Sequence, residues 1–187
     1  MPFAIVSLIR LGEHSTDVAN KFNGLFQRYE TMNGSELTRR SLKFNDLDEV
    51  LAECRNLHQT GYQRVGKWSL GQICRHLRMT FDSSIDGYPM WMSFFAPLRP
   101  FIRGLMLPRL LRGDSPKGVP TAPMFAPPED VDDAEEIEIF AASLQRLQNH
   151  QGVFKPHPGF GRMESEQMKR FHTVHSAHHF GFLIPKM

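Results

Sequence analysis

Four stretches of the chain repeat apolar residues at intervals of three and four, and none alternates apolar and polar residues as a half-buried strand does. They run from Asn45 to Gly61, from Trp68 to about Gly87, from the acidic residues after Asp130 to just before Gly152, and from about Glu164 to Leu183. Such intervals place apolar side chains on one face of an α-helix. The sequence therefore predicts an all-α protein with four main helices.

End signals support these helices. Asn45 is a good N-cap for the first helix. Asp46, Asp48 and Glu49 follow it in the first turn, where the positive end of the helix dipole favours carboxylates. Ser69 and Gln72 match the capping box at the start of the second helix. The acidic run of the third stretch indicates a helix start and not a metal cage. Pro185 is expected to stop the last helix.

The connection between the second and third helices, residues 88–128, is long, whereas the other two connections are short. This combination predicts a four-helix bundle with one long crossover. Nine of the thirteen prolines lie here, and its apolar first half is interleaved with arginines. We expect one or two short helices broken at Pro97, Pro100 and Pro108, followed by an extended strap over 114–128.

Several roles fit the crossover. It can cover one end of the bundle, form a lid or pocket wall, or offer a surface to a partner. The mixture of arginine and aromatic residues also fits binding at a membrane surface, but the prolines would interrupt the helix that such binding needs.

Composition bounds the remaining organisation. The 187 residues suggest one domain, which we place at 39–187, with an N-terminal extension over 1–38. That extension is either flexible or begins at a true start at Met32, in which case residues 1–31 are not part of the native protein. A net charge of +2 argues against nucleic-acid binding. No apolar run is long enough for a membrane span. The two cysteines, with no Cys-x-x-Cys, indicate a reducing cytoplasm.

Residues 171–179 hold four of the nine histidines. On a helix, His172, His175 and His179 fall within about 60° of one another. His175 and His179 are four apart and can reach one metal ion, and His76, beside the apolar face of the second helix, is the best candidate for a third ligand. On spacing alone, an incidental pair is favoured over a metal site. The four-histidine cluster makes the two interpretations about equal, because His-x-x-x-His without a flanking Glu is not the zinc-protease motif.

The order of several motifs resembles the DinB-like superfamily, and more narrowly a bacterial domain-of-unknown-function branch of it. They are Trp68-Ser69-Leu70-Gly71-Gln72-Ile73 leading to His76-Leu77, and His175-x-x-His178-His179 in the final helix, together with Arg39-Arg40-Ser41-Leu42-Lys43-Phe44, Ser84-Ile85-Asp86-Gly87 and His157-Pro158-Gly159-Phe160-Gly161. The resemblance covers about residue 39 to the end.

The resemblance implies a four-helix bundle whose core holds a divalent metal on His76, His175 and His179. His178 would point away, and His172 would be an outer partner that orients a ligand. Characterised relatives include thiol-dependent S-transferases and isomerases that use low-molecular-weight thiols, and relatives often form homodimers. The chain departs from the family at Phe182, where a glutamine is common, which puts the polar wall of the pocket in question.

Three imidazoles leave coordination positions open. Nitrogen ligands favour zinc or nickel, with iron, cobalt or manganese as further choices. An open position can activate water or hold a thiol as thiolate. No core-facing Asp or Glu stands out as a general base, and no catalytic residue is identified. We therefore expect thiol-dependent S-transferase chemistry on a small electrophile, with a metal-dependent hydrolase or a non-catalytic binding or stress-response module as the alternatives.

Overall fold

The computed structural model of the chain describes residues 38–113 and 121–186. This part is mainly helical, as predicted. Its α-helices are α1 (Leu47–Thr60), α2 (Leu70–Asp86), α3 (Arg99–Leu111), α4 (Asp133–Asn149) and α5 (Ser165–Phe180). Two 3-10 segments, Met90–Leu98 and Pro123–Phe125, lie in the crossover, and two strands, β1 (Tyr62–Arg64) and β2 (Leu183–Pro185), form an antiparallel pair.

Helix α1 begins one residue later than the sequence predicts. The cap is Asp46, whose carboxylate accepts from the backbone N–H of Glu49 at 2.9 Å. Asn45 instead bonds to the Glu49 carboxylate through its backbone N–H and its side-chain amide, at 2.8 and 2.7 Å. Asp46 takes the cap because a carboxylate also interacts favourably with the helix dipole.

The predicted capping box of α2 is present, with Ser69 and Gln72 each bonded to the other's backbone N–H. The Asp133 carboxylate then joins the start of α4 to the start of α2. It accepts from the Ser69 hydroxyl at 3.0 Å and from the Gly71 N–H at 2.7 Å. The Tyr62 hydroxyl of β1 donates to it at 2.6 Å. One carboxylate thus fixes the register between three elements.

Helices α1 and α2 each pack against both α4 and α5, and α3 packs against α5. The predicted apolar faces meet in a single core. Its fully buried large side chains include Leu57, Leu70, Ile73, Leu77, Phe81, Phe140, Leu144, Leu147, Met168 and Phe180. Burial of these faces supplies the main favourable free energy for packing the helices together.

The end of the last helix corrects the prediction. Helix α5 stops at Phe180 instead of Leu183, and Leu183–Pro185 pairs with Tyr62–Arg64. Strands of three residues are too short to show an alternating pattern, so the sequence analysis missed both. The pairing supplies backbone hydrogen-bond partners to the last described residues and joins them to the segment between α1 and α2.

The crossover corrects another expectation. Pro97 lies within the 3-10 segment and Pro100 at the start of α3, where a missing N–H costs little. Pro108, predicted to break the helix, lies inside α3. Its missing bond would free the carbonyl of Gly104, and both residues are exposed, so water can reach that carbonyl. Of the predicted extension over 1–38, residues 1–37 lie outside the described residues, and so do residues 114–120 of the predicted strap over 114–128.

Candidate metal centre

Three histidines that are distant in sequence meet between α2 and α5. His76 lies beside the buried stripe of α2 and is 4% exposed, whereas His175 and His179 are half-buried. Nε2 of His175 is 3.3 Å from Nε2 of His76 and 3.0 Å from Nε2 of His179. One ligand atom from each residue lies within 4.8 Å of the other two. The sequence-predicted triad therefore comes together through its Nε2 atoms.

These separations match a metal site. A tetrahedral ion bound at about 2.0–2.1 Å by each nitrogen holds its ligand nitrogens about 3.3 Å apart, and an octahedral ion about 3.0 Å apart. The two measured distances fall at these values. The geometry suits a divalent ion without choosing between tetrahedral and octahedral coordination.

The crossover fixes the protonation of one of these rings. Nδ1 of His76 lies 2.9 Å from the backbone carbonyl oxygen of Phe125, in the short 3-10 segment. A carbonyl can only accept, so Nδ1 carries the proton and Nε2 presents a lone pair to the other two rings. Backbone carbonyls commonly orient metal-binding histidines in this way. No sequence signal could have identified Phe125, because any residue can offer a carbonyl.

Burial keeps the three rings neutral. It is the largest cause that lowers the pKa of His76, and the bond to Phe125 opposes it. The pKa values of His175 and His179 are held well below the ordinary value, first by burial and then by the neighbouring histidines. Neutral imidazole is the form that binds metal, so the cluster is ready to accept a cation near pH 7 without first losing protons.

Aromatic rings enclose the triad. The Trp68 ring stacks on that of His179 with centroids 5.5 Å apart and lies 5.0 Å from that of His76. Phe171 stacks on His175 at 5.9 Å. The sequence analysis placed Trp68 only at the start of α2 and missed its contacts with the site. These apolar walls restrict water and hold the rings in place.

His172 lies apart from the triad. It is fully buried, and Nε2 lies 2.8 Å from the Ser84 hydroxyl oxygen. Ser84 donates its own proton to the Thr80 carbonyl at 2.9 Å, so it accepts from both His172 and the Tyr88 hydroxyl. His172 makes no hydrogen bond to the three converging rings, so the predicted outer-partner role finds no contact to support it.

His178 lies on another side of α5, and Phe182 lies just after the end of that helix. The rings of the two residues are 5.5 Å apart, and the Arg39 guanidinium lies 5.1 Å from the Phe182 ring centroid. His178 lines a cavity with Arg39 and Lys43 instead of joining the triad. His157 has a structural role. Its Nδ1 accepts from the backbone N–H groups of Gly159 and Phe160 at 3.1 and 3.2 Å.

The buried carboxylate of Glu136 is already paired. It faces α2 from α4 and accepts from Arg75 at 3.2 Å and from Arg78. Within residues 38–113 and 121–186, the three histidines form the one group of His, Cys, Asp and Glu with metal-binding spacing. The site therefore offers imidazole ligands and aromatic walls, and no adjacent carboxylate joins its ligand set.

Fold and site together define a mainly helical protein with a buried three-histidine group compatible with a metal ion. Residues 36–186 match the model of a family described as a protein of unknown function (DUF1569), and the chain belongs to that family. The expected membership of a domain-of-unknown-function family is thereby confirmed. Searches of curated proteins and of solved structures found no match.

Proposed function

We propose that the chain binds one divalent metal ion through Nε2 of His76, His175 and His179, and that its fold is a DinB-like four-helix bundle with a long crossover. Packing of α1 and α2 against both α4 and α5 supports the bundle. The convergence of the three Nε2 atoms, one of them with its lone pair fixed by Phe125, carries the metal proposal. Zinc and nickel suit this ligand set best.

The chain's own residues would prepare the site. The bond from His76 to the Phe125 carbonyl holds that ring in the binding tautomer. Trp68 and Phe171 restrict rotation of His179 and His175 by stacking on them. A site built this way loses little conformational entropy when it takes up an ion.

We further propose thiol-dependent transfer to a small electrophile as the activity. A bound divalent ion would lower the pKa of a thiol or of water at an open coordination position. Within the described residues, no carboxylate belongs to the group that would hold the ion. This favours activation of a thiol over activation of water, because hydrolysis usually needs a general base beside the ion. The resemblance to thiol-dependent relatives adds support, and a low-molecular-weight thiol would be the cosubstrate.

Metal content tests the first proposal. We expect about one ion per chain by mass spectrometry of the untagged protein. The ion should be lost in His76→Ala and His179→Ala and retained in His178→Ala, which removes a histidine from the same helix outside the triad. Absence of metal from the wild type after reloading with zinc and nickel, or its equal loss from His178→Ala, would refute the site.

Turnover tests the second proposal. The metal-loaded protein is incubated with a panel of low-molecular-weight thiols and electrophiles, and thiol consumption is followed. We expect consumption that requires both the metal and His76. Thiol-independent cleavage of esters or amides would favour the hydrolase, and a fully loaded protein inactive in both assays would favour a binding module.

A cytoplasmic location and a homodimer complete the proposal. The two cysteines are free and buried, with their sulfur atoms 3.4 Å apart, which suits a reducing compartment. The homodimer rests on the resemblance, and sedimentation of the purified protein would test it.

A further inference from the structure

The crossover has an unusual exposed apolar face. Of the eight exposed large apolar side chains in the described residues, six lie in a run of sixteen residues, and Met90, Phe94 and Phe101 are 90%, 87% and 73% exposed. The six are Met90, Trp91, Phe94, Leu98, Phe101 and Leu105, and we call them the exposed apolar face. Clusters of this kind mark binding surfaces, whereas scattered single residues do not.

Helix α3 is apolar on two opposite sides. Its inner side packs on the core through the buried Leu107, with Ile102 and Met106 beside it. Its outer side carries Phe101 and Leu105. A helix that is apolar all round is normally covered on all sides. Within the described residues, nothing covers the outer side.

The charge of this segment has one sign. No Asp or Glu occurs between Asp86 and Asp114, and the segment carries four arginines. Arg99 and Arg103 point inward and donate to the carbonyls of Pro158 and Phe160, at 2.8 and 2.6 Å. They attach the face to the loop before α5, and the other two arginines remain available to a partner.

Arg109 and Arg112 extend the exposed apolar face. Spacings of four place Phe101, Leu105 and Arg109 on one side of α3. Arg112 follows the last residue of the helix and also lines the cavity that holds Arg39 and His178. Arg109 and Arg112 are both exposed, and neither forms an ion pair with any described residue. Helices that lie in a membrane interface combine exposed apolar side chains with arginine or lysine.

We propose that the exposed apolar face, together with Arg109 and Arg112, docks on an anionic lipid surface. Its aromatic and aliphatic side chains would enter the interface and its arginines would meet lipid phosphates. None of the described helices is long and apolar enough to cross a bilayer, so the chain would lie on the surface. Since α3 continues through Pro108, the proline objection raised by the sequence does not apply.

Charge favours lipid over a second copy of the chain. In a two-fold dimer the same patch faces itself, and this segment offers no carboxylate that could pair with the arginines of the other copy. An anionic bilayer supplies both the apolar cover and the opposite charge. The proposal is independent of the metal site.

Co-sedimentation with vesicles tests the docking. We expect the full chain to bind vesicles of phosphatidylcholine mixed with phosphatidylglycerol, to bind pure phosphatidylcholine far less, and to release as salt is added. Phe94→Ser combined with Phe101→Ser should weaken binding about tenfold or more. Val153→Ser is the matched control, because Val153 is 80% exposed and lies outside the segment.

The charge contribution has its own pair of variants. Arg109→Gln with Arg112→Gln should weaken binding about thirtyfold, and Arg55→Gln with Arg64→Gln, which are exposed elsewhere, should not. Unchanged thermal unfolding would show that each variant is folded, and Phe94→Ser alone, outside α3, serves if the double variant is not. Three results would overturn the proposal. They are no binding to the anionic vesicles, equal binding to anionic and pure phosphatidylcholine vesicles, and a wild-type dimer that Phe94→Ser dissociates.

Discussion

Buried histidines make the stability of this protein depend on pH. Burial lowers the pKa of His172 to about 3, against about 6.5 in an unfolded chain. Below about pH 6.5 the unfolded chain therefore binds a proton that the folded chain refuses until about pH 3. The stability contributed by the neutral ring is complete above pH 6.5 and is lost as the pH falls through this window.

We expect the free energy of unfolding to fall by about 1.4 kcal/mol per pH unit through His172 alone. Urea titrations of the metal-free protein between about pH 7 and about pH 5 measure the slope. His172→Gln should reduce it by about that amount, and the exposed His58→Gln should leave it unchanged. An equal slope in wild type and His172→Gln would contradict this account.

At the scale of elements, Gly71 tests how α2 meets α4, and Gly104 in α3 provides the comparison. A Cβ added at Gly71 would come within 2.7 Å of the Asp133 carboxylate and 3.0 Å of its backbone Cα, whereas one added at Gly104 would meet nothing within 4 Å. Gly71→Ala should cost about 1–3 kcal/mol by forcing the two helix starts apart. Gly104→Ala, in the exposed middle of α3, should stabilise by about 0.5–1 kcal/mol. Chemical denaturation of both variants checks the opposite signs.

Local sequence determines what could be predicted about these elements. The capping box at Ser69 and the four-residue spacing of His175 and His179 are short-range features, and both appear as expected. The contact of His76 with His175 spans 99 positions, so residue spacing offered it only as a candidate. The Phe125 carbonyl and the β1–β2 pairing depend on tertiary packing alone, and no residue pattern encodes them.

At the scale of the whole molecule, an ion on the triad would join α2 to α5. Metal that binds only the folded chain should stabilise it by about 2.7 kcal/mol at a hundred times its dissociation constant. We expect zinc to raise the melting temperature of the wild type and of His178→Ala, but not that of His76→Ala. Calorimetric scans over a range of zinc concentrations provide the measurement, and an equal rise in all three proteins would mean that zinc stabilises through another site.

The wide separation of the ligands in sequence has a consequence for the order of assembly. His175 and His179 can meet as soon as one helical turn forms. His76 lies 99 positions before His175, so it joins them only after the loop between the two residues has closed. Closing so long a loop costs entropy that later contacts must offset, so the third ligand should arrive after the folding barrier. Contacts made after the barrier slow unfolding more than they speed folding. An ion at this centre would therefore chiefly slow unfolding and so lengthen the lifetime of the folded chain.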